Sequence, residues 1–481
     1  MSTLHSKRLF GLTLILLFFG SSAVIAQRVS VSEAIAVKKD DYYQILGKIK
    51  DLMLFSTDNG YTLDLMAFDE KLRLLWKKEL ELDKRRTQVI GVIPHATGFS
   101  VIYQYSRKGD NYLKAHRYSE TGILQDSLTL SQFEQSYNPP DCRMVLSEDH
   151  SKALIYFVEK QERLNVQTID LTSLSKIWTT HVAIEASTFF RHFRSLILDN
   201  HGKMYLLLEK DSKRSKSEEH RLELIQFFTG DISPMSRHIS LENLASQKVK
   251  FVYDNLNDRL VGIGLTVDKN PENATGLFCF YLDQLTEGVF ELHQMPFSPE
   301  INRKMTGTND ETNKGLEDLE IREILLRKDG GIVIILEEVR RLERNIAGQQ
   351  FQFGPGGSRY IVDYYYEDLM VVSIGPNGAI DWQEVFPKKQ YSQDDDGLYS
   401  STLLMTAPDQ IRLVFNDEIA YENTVSAYTI DHTGALERSS ILSTDYQKLK
   451  LIFREGMQTG VYEVLVPSER GGKIKLVKVE F

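Results

Sequence analysis

The chain has 481 residues, 42% hydrophobic and 26% charged, with a formal net charge of −10. That acidic balance lacks the basic footprint demanded by nucleic-acid phosphates, so DNA and RNA are excluded as partners. Two cysteines, Cys142 and Cys279, are too few for a disulfide framework, and both are expected as small buried apolar residues.

At the N-terminus, His5, Lys7 and Arg8 precede an apolar run from Leu9 to Phe19, then small residues from Gly20 to Ala23 and the sequence Val24-Ile25-Ala26-Gln27. These are the three regions of a secretory signal peptide over residues 1–26, with the cut after Ala26. The apolar run is short for a bilayer-crossing helix, which takes about 20 residues. The expected mature chain, 27–481, is therefore exported, to the periplasm, the outer membrane or the medium, without a transmembrane segment. Losing Lys7 and Arg8 makes it more acidic still.

Beyond Gln27 the chain repeats itself. Trp76, Trp178 and Trp382 are each approached by an alternating apolar segment and a polar turn: "MAFDEKLRLLWKKEL", "QTIDLTSLSKIWTTHV" and "VSIGPNGAIDWQEVF". The segments Lys114–Leu130 and Ser426–Leu442 keep this frame without the tryptophan, turning at Gly122 and Gly434. Glycine supplies the positive φ that hairpin turns need. Upstream of each hairpin lies a second strand pair, as in "FRSLILDNHGKMYLLLEK" and "IREILLRKDGGIVIILEEV". Each unit is a four-stranded meander.

Units start near Tyr42, Gln88, Cys142, Phe193, Val249, Ile321, Ser400 and Leu449, mostly about 50 residues apart, the scale of propeller blades. The last unit has three strands before Phe481, and "VSVSEAIAV" at Val29–Val37 can supply the fourth. Joining the two ends removes an exposed strand edge. The expected fold is all-β: one β-propeller, eight-bladed, with seven blades as the alternative count, closed by strands from both termini.

The turns Asp431–Gly434, Ser119–Gly122 and Gly375–Trp382 resemble the D-x-x-T-G-x-x-x-W frame of the quinoprotein-type propeller repeat, with a weaker WD-like or kelch-like likeness. That resemblance implies a tryptophan packed against the neighbouring blade. It brings no cofactor, because no quinone or metal ligand can be matched to a position. The signal peptide with aromatic-rich blades also resembles uncharacterised exported propellers of Bacteroidota envelopes. Some of these attach to outer-membrane secretion or motility machinery, which implies an accessory role.

Candidate sites concentrate in unit six, where an insertion at about 340–366 separates two strands. Its glycines (Gly354, Gly356, Gly357) suit a turning tip, and its aromatic residues suit an interface. Phe353, Arg359, Tyr360, Tyr364, Tyr365 and Tyr366 are the expected partner contacts. The alternative is an extended hairpin whose tyrosines alternate between core and solvent. A second excursion, 298–320, is polar and reads as a mobile loop. The basic stretch Lys210–Arg221 is broken by acids and reads as a solvated loop. Asp394, Asp395 and Asp396 are consecutive, unlike the alternate spacing of calcium ligands, and read as a solvated turn with no metal.

No local catalytic signature is present, and no catalytic residue can be named. The function expected is that of a non-enzymatic exported propeller, monomeric on its own, binding an envelope protein or extracellular polymer. The alternative is an enzyme of hydrolase, lyase or quinoprotein type with its site in the central channel, where residues distant in sequence converge.

Overall fold

The computed structural model describes residues 28–38, 41–133, 139–160, 162–184, 186–210, 221–241, 246–267, 272–283, 290–307, 315–346, 359–417, 419, 424–443 and 449–481. The expected signal peptide lies outside the described residues.

Eight antiparallel sheets form among the described residues, seven of them meanders of four strands in chain order from the axis outward and the eighth completed by the N-terminal segment. Their first strands are Tyr42–Ile49, Gln88–His95, Arg143–Leu146, Phe193–Leu198, Ser246–Asp254, Leu319–Leu326, Leu403–Thr406 and Met457–Gly460. The first strand of blade one touches those of blades two and eight, which closes the wheel. The last blade starts later than Leu449 because the residues before it form a linker. There the turn Phe453–Glu455 buries Phe453.

Side chains alternate across each strand, so every blade has two faces to cover. Eight apolar clusters do this, one at each interface between neighbours. Phe55, Met66 and Phe68 of blade one, for example, meet Leu465, Ile474 and Leu476 of blade eight. Each such side chain contributes about 1.5–3 kcal/mol on full burial.

The N-terminal segment supplies the outer strand of blade eight. Arg28–Val31 and Ile35–Ala36 both pair antiparallel with Lys473–Glu480. Between them the register slips by one residue, from Val31 opposite Val477 to Ile35 opposite Ile474. A one-residue slip exchanges the faces. Val29 and Val31 consequently pack toward blade seven, while Ile35 and Val37 pack toward blade one. Ser32 secures the crossing point: its N–H donates to Leu476 O, and its Oγ accepts from the Leu476 N–H, both at 2.9 Å.

Meander topology sorts the connections onto two faces of the wheel. One face carries the turns between first and second and between third and fourth strands, and these are short, several of them capped by aspartate. Asp431 Oδ1 accepts from the Thr433 and Ala435 N–H groups at 2.8 and 3.0 Å. Gly434 turns there at φ +85°, and a Cβ on it would stand 2.8 Å from the Trp382 ring. Trp382 Nε1 donates to His432 O of the next blade at 3.0 Å, and Trp178 Nε1 likewise to Gly202 O at 2.8 Å. Trp178 and Trp382 thus bolt the outer strands of blades three and six to the following blade.

The opposite face carries the blade-to-blade linkers and the loops between second and third strands. Two short helices lie in linkers there, Ala186–His192 and Pro299–Thr306. The second corrects the expectation of a mobile loop over 298–320. Ser298 caps its N-terminus and Pro299 opens it, while Ile301 and Met305 are buried. Residues 308–314 lie outside the described residues. No described helix is long and apolar enough to cross a membrane. Cys142 and Cys279 are free and buried in different interfaces, and burial pushes both thiols up to about 12.

Candidate functional site

In blade six the second and third strands, Ile332–Ile346 and Arg359–Ile374, outrun the blade. The sequences "VRRLERNI" and "RYIVDYYY" keep the alternation and β-branched or aromatic content that sustain strands. Past Val339 opposite Tyr366, they pair as far as Ile346 opposite Arg359. A short strand, Gln390–Gln393, adds alongside Asp363–Tyr366. The product is a three-stranded arm rising from the linker face.

One face of the arm is open. Tyr365 and Tyr391 lie directly opposite each other with ring centroids 5.1 Å apart, and the Arg340 guanidinium sits 4.9 Å from the Tyr365 ring. One row further out, Asp363 anchors this face. It takes a two-pronged ion pair from Arg344, the Tyr391 hydroxyl at 2.7 Å and the Gln393 amide at 3.3 Å. The Arg344 guanidinium beside it holds the Asp363 carboxyl down at about 2. Leu342 and Tyr391 remain 43% and 42% exposed.

The other face is closed near the wheel. Tyr364 donates to Asp396 Oδ1 at 2.7 Å, and the Tyr366 hydroxyl accepts from Arg454 at 2.9 Å; both rings are buried. Asp394, Asp395 and Asp396 are engaged separately. The first accepts from the Val362 N–H at 2.9 Å, the second from Ser392 Oγ at 2.7 Å and the Gly397 N–H at 3.0 Å, the third from Tyr364. Among the described residues no three His, Cys, Asp or Glu side chains gather as a metal-binding group.

The six residues expected from sequence therefore part company. Tyr365 lies on the open face and Tyr360 is exposed nearer the tip, whereas Tyr364 and Tyr366 are spent inside. Arg359 begins the returning strand. Phe353 lies outside the described residues. Sequence reading missed Arg340, Leu342, Asp363 and Tyr391. Arg340 and Leu342 continue the alternation of their strand, Asp363 changes face at the bulge between Tyr366 and Leu369, and Tyr391 sits beyond the fourth strand and joins only through the added one.

A buried ionic cluster forms the arm's foot. The Lys388 ammonium reaches Glu337 Oε1 at 2.8 Å, Tyr366 O at 2.9 Å and Gln390 Oε1 at 2.8 Å. Glu337 Oε2 accepts from Ser401 Oγ at 3.0 Å and pairs with Arg322 Nε at 3.1 Å. Both Lys388 and Glu337 side chains are 0% exposed. Burial pulls the Lys388 pKa below its ordinary value, against the opposing attraction of Glu337. Ser401 holds a left-handed φ of 72°, costly for a non-glycine residue, and its N–H donates to Gln390 Oε1 at 2.8 Å. These contacts tie the arm's base to the linker entering blade seven.

On the same face, at the start of blade one's first strand, the Tyr43 hydroxyl donates to Glu469 at 3.5 Å, and burial raises its pKa with Glu455 contributing. The Lys450 ammonium lies 3.5 Å from the Tyr399 ring nearby. A shallow cleft of about 510 Å³ on the opposite face is lined by Thr406–Pro408 and Gln458–Val461. Its Gln458 side chain is occupied by the Thr406 backbone, accepting at 2.9 Å and donating at 2.8 Å.

No family model matches the chain. No curated protein matches it in sequence. Solved propellers resemble it in outline. The Dos1 propeller is 9% identical, covering 92% of this chain and 95% of its own, with a TM-score of 0.43. The β-propeller domain of the trilobed protease from Pyrococcus furiosus is 12% identical, with coverages of 84% and 98% and a TM-score of 0.38. A prolyl endopeptidase structure is 11% identical over 90% of this chain and 54% of that one, with a TM-score of 0.37. Likeness at this level carries no argument about activity, and none of the three is described as a quinoprotein.

Proposed function

We propose that the chain is a non-enzymatic exported propeller of the cell envelope that holds a protein or extracellular polymer through the blade-six arm. The observation that carries this reading is the open face bearing Tyr365, Tyr391 and Arg340. Tyrosine and arginine dominate binding hot spots, because they offer large contact area with polar ends. The Asp363 anchor and the Lys388 foot hold these side chains in place before any partner arrives, which lowers the entropy lost on binding. An accessory role on outer-membrane secretion or motility machinery fits an arm of this kind.

The test is affinity capture from the native envelope with the intact chain and with the Tyr365→Ala/Tyr391→Ala variant. Capture should fall at least about tenfold, the effect of losing one or two hot-spot residues, while the unfolding midpoint moves little. Undiminished capture by the variant would end this reading.

A second reading, an enzyme with a site at the channel mouth, is favoured by one observation: Tyr43, Glu455 and Glu469 converge on the linker face beside Lys450 and Tyr399. It requires a hydrolytic or lyase activity that Glu469→Gln abolishes without loss of fold.

A further inference from the structure

We infer that the axis-facing edge of the arm, over Arg340–Arg344, takes up an extended acidic segment of a partner protein as an added strand. This rests on the partner-binding reading and names the chemistry of the contact. The Val339 N–H donates to Asp318 O at 2.9 Å, and so points away from strand Arg359–Ile374. Strand alternation turns the backbone groups of Arg341 and Glu343 to that same side. Among the described residues no strand pairs with them there.

The side chains beside this edge are selective. Arg340, Leu342 and Arg344 share the face of Tyr365, by register with Tyr365, Asp363 and Ile361. Between 340 and 344 there are three arginines and one glutamate; Arg341 pairs with Glu343, Arg340 with Glu367 and Arg344 with Asp363, and since a guanidinium carries five donors, Arg340 and Arg344 keep some for a second carboxylate. A strand laid along the edge would set alternate residues beside Arg340, Leu342 and Arg344, which favours acidic, apolar and acidic side chains in that order. Charged side chains blunt an edge, whereas exposed apolar ones invite pairing. Here Leu342 stands 43% exposed in the middle of the edge.

The probe is a fluorescein-labelled peptide whose alternate residues read Glu, Val, Glu, spaced by threonines, with a lysine-for-glutamate version as control. Anisotropy titration of the full chain should give saturable binding to the glutamate peptide and about tenfold weaker binding to the lysine peptide. Arg341→Pro removes an edge-facing N–H at a place where a sheet tolerates proline, and should abolish binding while the fold persists. Arg344→Gln, which keeps a donor for Asp363, should narrow the difference between the peptides, and it decides the matter if the proline variant does not fold. Equal binding of the two peptides, no saturation, or unchanged binding by Arg341→Pro overturns the inference. Concentration-dependent dimers that Arg341→Pro abolishes also overturn it, since the edge would then serve a second copy. If Arg341→Pro still captures the envelope partner and Tyr365→Ala/Tyr391→Ala does not, the strand-addition inference fails and the partner-binding reading stands.

Discussion

Replacing Lys388 by methionine asks whether the foot of the arm is held by charge. The ammonium has three donors, and it meets Glu337 Oε1, Tyr366 O and Gln390 Oε1, all within 2.9 Å. Methionine is close in size but supplies none of these contacts, so Tyr366 O loses its side-chain donor, at about 1 kcal/mol, while Gln390 Oε1 keeps the Ser401 N–H. The substitution also leaves Glu337, at 0% exposure, with one cation fewer. Breaking a buried pair costs about 3–5 kcal/mol. Arg322 and Ser401 still hold the other carboxylate oxygen, which places the expected loss at the lower end, about 3 kcal/mol.

Glu337→Gln keeps the shape but leaves ammonium and guanidinium without their shared carboxylate, at a similar cost of about 3 kcal/mol. In the double variant each change removes a charge that the other has already orphaned. The combined loss should therefore fall short of the sum by about 1–2 kcal/mol. Urea unfolding of the four proteins measures this, provided the denaturant slope stays constant across the set. A loss under about 1 kcal/mol for Lys388→Met, or simple additivity, would refute the view that charge pairing holds the foot.

Ser32→Ala leaves the Leu476 N–H without its acceptor, so stability should fall by about 1–3 kcal/mol and the Leu476 amide should exchange faster with deuterium. Unchanged protection of that amide would rule out Ser32 as the clasp. His116 is buried in a directional chain: Tyr103 OH at 2.9 Å from Nε2, Tyr118 OH at 3.0 Å from Nδ1, and Tyr118 OH in turn donating to Glu81 O. Burial pushes its pKa down to about 4, below its value of about 6.5 in the unfolded chain. Between these two values only the unfolded chain takes up the proton. Stability present at neutral pH should therefore fall as pH drops from about 6.5 to about 4, by on the order of 2 kcal/mol after discounting for solvent screening. His116→Gln should flatten that slope in pH-dependent unfolding, and a slope unchanged by the substitution would assign the effect to other groups.

The wheel was legible because its signals are local. Aspartate and glycine at the turns, period-two alternation and the recurring tryptophans act over a few residues. Their repetition identifies eight meanders and a last unit that lacks a strand. Val29–Val37 was legible as the missing strand for the same reason, although the face exchange at Ser32 was not. That exchange needs the partner strand beside it.

The faces of the tyrosines were decided by tertiary structure. Leu369 and Val371 point toward blade seven in the sheet, and simple alternation would turn Tyr365 the same way. The register slips by one residue between Glu337 and Val339, so Tyr364 and Tyr366 turn inward and Tyr365 outward. Lys388, Glu337, Arg322 and Ser401 are likewise scattered through the chain, and nothing in the neighbourhood of each announces the others. Sequence by itself determined the blade, its turns and the closure of the ring, since those follow from short-range backbone preferences. The arm's open face and buried foot were decided only in the folded molecule, where one bulged residue and the desolvation of a few charges select which side chains meet.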